Sequence, residues 1–217
     1  MTDNASSREY RKVARARREE ETRLRITEAA VELHGTVGPA NTTIAEIAKR
    51  AGVSRMTVYN HFPTDVDLFR ACSSHWADAN PFPDPSPWTE IEDPRDRLIH
   101  GLRELYVWYE SKSDMLGSVF RDIGVVPALA EVMGGLWTTY VDGLIQTLAA
   151  GWRSPNEDGE RIEGALSVAI DFHTWCLLAE AGTAPETAAR VASRLVTAGF
   201  ETSGPAESHS AAARSNV

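Results

Sequence analysis

Thr42–Phe69 reads TTIAEIAKRAGVSRMTVYNHFPTDVDLF, and the punctuation of this stretch decides the fold. Thr43 stands three residues before Glu46, and Thr64 three before Asp67, so each pair can close a capping box at a helix start. Ile44, Ile47 and Ala48 share one side of the first of these helices, which ends at Gly52. Ser54 caps a further helix through Arg55, Met56, Thr57, Val58 and Tyr59 to about Phe62, and Pro63 ends it. Two short helices joined by a tight, glycine-bearing turn form a helix-turn-helix.

Working outward, the preceding RITEAAVELH (Arg25–His34) belongs to a run without Gly or Pro from Ser7 onward. Ile26, Ala30 and Leu33 fall at i, i+4 and i+7, which puts them on one helical face and predicts a helix from about Glu19, stopped by Gly35, Gly38 and Pro39. Glu19 with Arg23 and Glu21 with Arg25 are i,i+4 pairs in the favourable order and extend it toward the N-terminus. Whether the first eighteen residues are helical stays open. After Pro63 a fourth helix runs through Leu68, Phe69, Cys72 and Trp76. Pro81, Pro83, Pro85, Pro87 and Pro94 then remove backbone donors, which predicts extended, polyproline-like chain and a domain joint.

Beyond the joint the pattern stays helical. Leu98, Ile99, Leu102, Leu105, Tyr106 and Tyr109 trace a stripe on a helix from about Pro94 to Lys112, with a short one from Met115 to Asp122. Leu129, Met133, Leu136, Tyr140 and Leu144 trace the next, ending near Trp152, before a turn at Ser154, Pro155 and Asn156. A single helix from Ile162 to Leu178 is apolar on several faces, and a last one runs from about Pro185 to Phe200. There is no strand alternation and no internal repeat. The expected fold is all-α: an N-terminal three-helix helix-turn-helix module and a C-terminal helical bundle that forms a dimer. It divides into a basic arm (1–18), the helix-turn-helix domain (19–80), a proline-rich linker (81–94), a ligand-binding and dimerisation domain (95–200) and a disordered tail (201–217).

Charge is unevenly placed. The chain of 217 residues has a net charge of −9, yet residues 1–62 carry 11 Lys/Arg against 8 Asp/Glu and the remainder 11 against 23. A basic head on an acidic body can meet a polyanion with one end only. Arg8, Arg11, Lys12, Arg15, Arg17 and Arg18 make the arm cationic. The N-terminus lacks the apolar core of a secretory signal, and the most apolar stretch, Val125 to Trp152, is interrupted by Pro127, Glu131 and Asp142. A cytoplasmic location without a membrane is therefore expected. Cys72 and Cys176 lie in no C-x-x-C or Cys/His cluster, so two free, packed thiols and no metal site are expected.

Thr42–Phe69, preceded by RITEAAVELH and carrying the Tyr59-x-His61-Phe62-Pro63 ending, resembles the DNA-binding module of the tetracycline-repressor-like (TetR) family of transcriptional regulators. The likeness covers about Arg25 to Phe69. It implies that the third helix lies in the major groove of double-stranded DNA, with Arg55, Met56 and Thr57 facing base edges and Thr43, Tyr59 and His61 facing phosphates; Ser54 and Asn60 complete the expected contact set. Ile44, Ile47, Ala48, Val53, Val58, Phe62 and Leu68 would be the small core that fixes the helix angle. Met56 stands where the family usually has a small residue, and Asp65 where a phosphate-approaching lysine is common, which removes one contact.

Family likeness further implies a repressor that binds a palindromic operator as a homodimer and is released by a small molecule. The last two long helices are the expected dimer surface, with Ala165, Ala169, Ala188 and Ala192 permitting close approach. An apolar or aromatic effector is expected among Tyr106, Tyr109, Phe120, Trp137, Tyr140, Phe172 and Trp175, with His100 and His173 as polar anchors. An alternative is a small-molecule-binding protein of the same fold that reads no DNA. An enzyme is the further rival: Asp171 and His173 suggest an acid–base pair, but residues two apart on a helix point about 200° apart, and each reads better as a satisfied buried polar group. No nucleophile elbow, zinc-helix motif, P-loop or dinucleotide fingerprint is present, so neither catalysis nor a cofactor is expected.

Overall fold

The computed structural model describes residues 3–152 and 158–198, with side chains described from Arg8 to Trp152 and from Arg161 to Ala198. The expected tail at 201–217, the turn at 154–156 and Phe200 lie outside the described residues. Within them all regular structure is helical: α1 (Asp3–Thr36), α2 (Ile44–Ala51), α3 (Arg55–His61), α4 (Asp65–Ala79), α5 (Pro94–Asp122), α6 (Pro127–Ala149), α7 (Asp158–Ile170), α8 (Phe172–Glu180) and α9 (Pro185–Ala198), with short 3-10 turns at Pro39–Asn41 and Ser86–Glu90. Among the described residues no single helix is long and apolar enough to cross a membrane. Packing divides the chain into two units, Met1–Pro83 with Trp108–Asp142, and Asp84–Val107 with Gly143–Val217.

In the first unit, Ile26, Ala29 and Ala30 of α1 meet Ile47, Ala48 and Ala51 of α2, Val58 of α3, Phe62, and Leu68 and Cys72 of α4 in one apolar core. Ile44 and Val53 are only half-buried at its edge. A second cluster joins Phe69 of α4 to Leu129 and Met133 of α6, with Val119 and Ile123 against it. The α1–α2 connection is fastened from α5. Asp122, almost wholly buried, accepts from the Ala40 N–H at 2.9 Å while the Arg121 guanidinium grips the same carboxylate at 2.8 and 3.1 Å. That grip holds Asp122 below the usual carboxylate range. Gly38 sits beneath it at φ +90°, where a Cβ would fall 2.6 Å from the Asp122 carboxylate.

The second unit is organised around buried polar anchors. Arg97 lies inside and donates to the carbonyls of Ile91 at 2.7 Å and Ala150 at 2.6 Å. The Trp88 indole donates to Glu104 at 2.9 Å, and its ring leaves room only for glycine at 101, where a Cβ would come 2.9 Å from it. Tyr106 donates to the Ala169 carbonyl at 2.6 Å, and burial pushes its phenol up. Ile162, Leu166, Ala188, Ala192 and Val196 pack α7 on α9.

Several expectations are corrected. The arm, left open by the sequence, continues the first helix: α1 is unbroken from Asp3 over 34 residues. Arg23 and Arg25 do not pair with Glu19 and Glu21, because both turn into the helix-turn-helix; the glutamates are taken by Arg15 and Arg17, each at 2.9 Å. Lys112 to Asp114 does not interrupt α5, since neither Gly nor Pro breaks the backbone there. The proline-rich segment is not extended throughout, for Ser86–Glu90 winds into a 3-10 turn that buries Trp88. The single helix expected from Ile162 to Leu178 is broken at Asp171, where the axis bends by 56°. Asp171 caps α8 by accepting from the His173 and Thr174 N–H groups, and both Asp171 and His173 are exposed rather than buried.

His34 of α1 is 7% exposed and stacks on Phe69 with ring centroids 5.0 Å apart. Burial pushes its imidazole down to about 4 from 6.5, so the folded state prefers the neutral ring. That preference stabilises fully above the ordinary histidine range and is lost as pH falls through the folded value, by about 3 kcal/mol in all. Denaturant unfolding of wild type and His34→Phe between about pH 7 and pH 4 should show the wild type losing that much relative to the variant; a difference that does not change with pH would refute the assignment. Asp122→Ala strands the Ala40 N–H and should lower stability by about 1–3 kcal/mol in a thermal melt.

Candidate nucleic-acid interface and apolar cavity

The second helix of the pair is built to face outward. Ser54 caps α3 by accepting from the Thr57 N–H at 3.0 Å, and the Gly52 turn before it takes φ +67°, the left-handed conformation in which a side chain would be strained. Val58 and Phe62 point into the core at 0% and 3% exposure, while Met56 is 67% and Tyr59 49% exposed. Arg55 and Asn60 are likewise exposed, and Thr57 and His61 are half-buried. Arg23 settles the far end of α3: its guanidinium donates to the His61 carbonyl at 2.8 Å and lies 4.2 Å over the Phe62 ring. Arg25 reaches the Ala51 carbonyl at 3.3 Å, and Arg50 pairs with Glu32. Three of the arginines in the basic head thus fasten helices together.

Thr43 and Ser54 are exposed, as the sequence suggests, but their hydroxyls already work as caps. The Thr43 oxygen accepts from the Glu46 N–H at 3.2 Å and its hydroxyl donates to the Glu46 carboxylate at 2.8 Å. Those hydrogen bonds hold Glu46 below the usual carboxylate range. Thr64 and Asp67 form the equivalent box on α4. Asp65 opens α4, where an acid complements the positive end of the helix; that is its structural role in place of a phosphate-approaching lysine. An exposed face of Arg55, Met56, Tyr59 and Asn60 on a helix locked from behind can present hydrogen-bond donors and an aromatic edge to a surface groove.

The first unit also holds a cavity. Val31, His34, Phe69, Trp76, Phe82 and Met115 are among its walls, together with Leu129, Met133 and Trp137, and no charged side chain among the described residues lines it. It is narrow, with about 50 Å³ open to the centres of water-sized guests, and one side reaches solvent. Of the aromatic residues expected from sequence, four gather beside it in this unit. Trp137 lines it, and Phe120, Tyr140 and Tyr109 lie 5.2, 5.8 and 6.4 Å from the Trp137 ring. Tyr140 stacks on Phe82 at 4.6 Å and donates to the Pro83 carbonyl at 3.1 Å.

The other five belong to the second unit. His100 approaches Glu104 at 3.0 Å, Tyr106 is a structural donor, Phe172 and Trp175 pack at 5.4 Å, and His173 is exposed. His34, Phe69, Trp76 and Phe82 escaped the sequence reading. The first three read as members of the helix-turn-helix module, and Phe82 is hidden among prolines. The one available signal was His34 on the apolar side of α1, four residues after Ala30.

Comparison with known proteins finds likeness in the helix-turn-helix stretch and in the fold. Residues 26–72 match the model of bacterial regulatory proteins of the tetR family. The HTH-type transcriptional regulator SrpR of Pseudomonas putida is 42% identical over 52 residues, 24% of this chain and 24% of its own length. The HTH-type transcriptional regulator AcrR of Shigella flexneri is 44% identical over 50 residues, 23% of each chain. The chain thus spans about a quarter of the length of these relatives. Beyond that module the likeness is one of fold: NalD, the secondary repressor of the MexAB-OprM multidrug efflux pump in Pseudomonas aeruginosa, superposes with a TM-score of 0.57 at 21% identity, over 83% of this chain and 96% of its own. Residues 26–72 are thus similar to the helix-turn-helix module of bacterial regulatory proteins of the tetR family, and the rest of the chain shares their fold.

Proposed function

We propose that this protein is a ligand-responsive transcriptional repressor that binds a palindromic DNA operator as a homodimer and releases it when a small apolar molecule enters the cavity of the first unit. The observation that carries the reading is the outward face of α3, where Arg55, Met56, Tyr59 and Asn60 are exposed while Val58 and Phe62 are buried. In functional terms, residues 19–80 read DNA and 95–200 supply the dimer surface. The cavity draws on both, since α1 and α4 form its walls as well as α5 and α6.

The dimer surface rests on exposed apolar side chains of α7, α8 and α9: Val168 at 63%, Leu177 at 69% and Leu195 at 71%. Of the small residues first expected to bring two protomers together, Ala169, Ala188 and Ala192 are buried within the chain, while Ala165 is half-buried. Large exposed aliphatics, rather than an alanine seam, then carry the association. Leu195→Glu should convert a dimer to a monomer in light scattering without lowering helix content.

Arg55 is the side chain of α3 best suited to a bidentate contact with guanine, and Tyr59 to a phosphate. In titrations against an operator selected from random duplexes, Arg55→Ala should weaken binding by about 1–3 kcal/mol and relax preference at one base pair per half-site. Tyr59→Phe should weaken binding about equally on every sequence. Deleting residues 1–18 should make the salt dependence shallower, because fewer counterions are then released from DNA. An Arg55→Ala protein with unchanged affinity and base preference would overturn the assignment of α3 as the reader.

A further inference from the structure

We propose that the cavity takes a neutral aromatic molecule of one or two rings bearing a hydroxyl group, with its rings against the aromatic walls and its hydroxyl hydrogen-bonded to the imidazole of His34. This rests on the effector role proposed above and names the ligand's chemical class. The walls decide its charge. Among the described residues no Asp, Glu, Lys or Arg lines the cavity, so an ionised ligand would surrender its hydration with little there to replace it. Phe69, Trp76, Phe82 and Trp137 offer flat faces, and Met115 and Met133 adapt around a planar guest.

The polar anchor follows from what the buried groups already do. The Cys72 thiol points its hydrogen at the Thr27 carbonyl, 3.9 Å away. His34 stacks on Phe69 and makes no hydrogen bond among the described residues, although it is 93% buried by its 7% exposure. A neutral imidazole carries one acceptor nitrogen and one N–H donor, here taken by no described residue and not fully sealed from solvent, so a guest's hydroxyl can replace water as its partner. Its depressed basicity keeps the ring neutral near pH 7 and favours a neutral guest over a carboxylate. Ser73, the other small polar residue of the wall, is only half-buried and more open to solvent than His34. Because His34 belongs to α1 and Phe69 and Trp76 to α4, the guest touches the helices that support α3 directly.

Equilibrium dialysis of the full chain near pH 7 against 2-naphthol, naphthalene and 2-naphthoate tests this. Wild type should bind 2-naphthol about tenfold more tightly than naphthalene, the increment of one net hydrogen bond, and more tightly than 2-naphthoate. His34→Phe, which keeps the stack, should bring 2-naphthol down to the naphthalene level, whereas Ser73→Ala should leave the ratio intact. If His34→Phe does not fold, the wild type still decides: the His34 ring nitrogen resonances should move with 2-naphthol and stay put with naphthalene. Equal affinity for the alcohol and the hydrocarbon, tighter binding of the carboxylate, no binding of 2-naphthol, an unchanged ratio in His34→Phe or a ratio abolished by Ser73→Ala would each overturn the inference. Operator binding is measured separately. A protein that holds its operator but ignores 2-naphthol refutes the ligand class alone, and one that binds 2-naphthol but no DNA refutes the regulator reading.

Discussion

A helix of seven residues cannot hold its own shape in water, because the cost of nucleating a helix is recovered only over many more hydrogen bonds. Everything that α3 presents to the outside therefore depends on how Val58 and Phe62 are held from within. Ser54 fixes where it starts, the Gly52 turn fixes the angle from α2, and α1 and α4 supply the apolar floor. Arg23 adds a second constraint at the other end, using one guanidinium to cover the Phe62 ring and to satisfy the last-turn carbonyl of His61. With its orientation set by these buried contacts, the exposed residues Arg55, Met56, Tyr59 and Asn60 carry no packing duty. Such positions can change contact chemistry without unfolding the module.

That division explains what was legible in the sequence. Caps and turn residues act over three or four positions, so Thr43 with Glu46, Gly52, Ser54, and Thr64 with Asp67 announce the helix-turn-helix to within a residue. Periodicity likewise located the later helices. It failed where the deciding interaction is distant in sequence. Nothing local tells Arg23 to leave Glu19 for a carbonyl 38 residues away, or Trp88 to bury itself in a segment dominated by prolines. Asp171 misled differently. Inside an apolar run it reads as a buried polar group, yet a carboxylate with two N–H partners is a helix start, and the bend follows.

The aromatic residues show the same limit for the cavity. Sequence placed nine of them or their histidine neighbours in one site because they share the C-terminal half, but proximity along the chain is not proximity in space. Tyr109, Phe120, Trp137 and Tyr140 converge; Tyr106 spends its hydroxyl on Ala169 and Phe172 packs on Trp175 in the other unit. The walls that complete the cavity come from α1 and α4, whose residues had been explained already as the core of the reading module. A residue with one evident role hides a second.

This sharing of helices sets the terms on which a ligand can act. A guest that binds all arrangements of α1 and α4 equally shifts nothing, however tight its binding, because only differential affinity moves a conformational equilibrium. The proposed guest would meet that requirement through the helices that line the cavity. His34 and Phe69 stack across α1 and α4, so their spacing is also the spacing of the two helices that hold Val58 and Phe62. Asp122 fastens the loop following α1 to the end of α5, so α1 cannot move far there without losing the Ala40 hydrogen bond. Close-packed interiors respond to added volume by displacing whole elements rather than by yielding uniformly. A ring bound beside Phe69, as proposed, would be accommodated by α4 or α6, and a shift of α4 would shift the floor on which α3 stands.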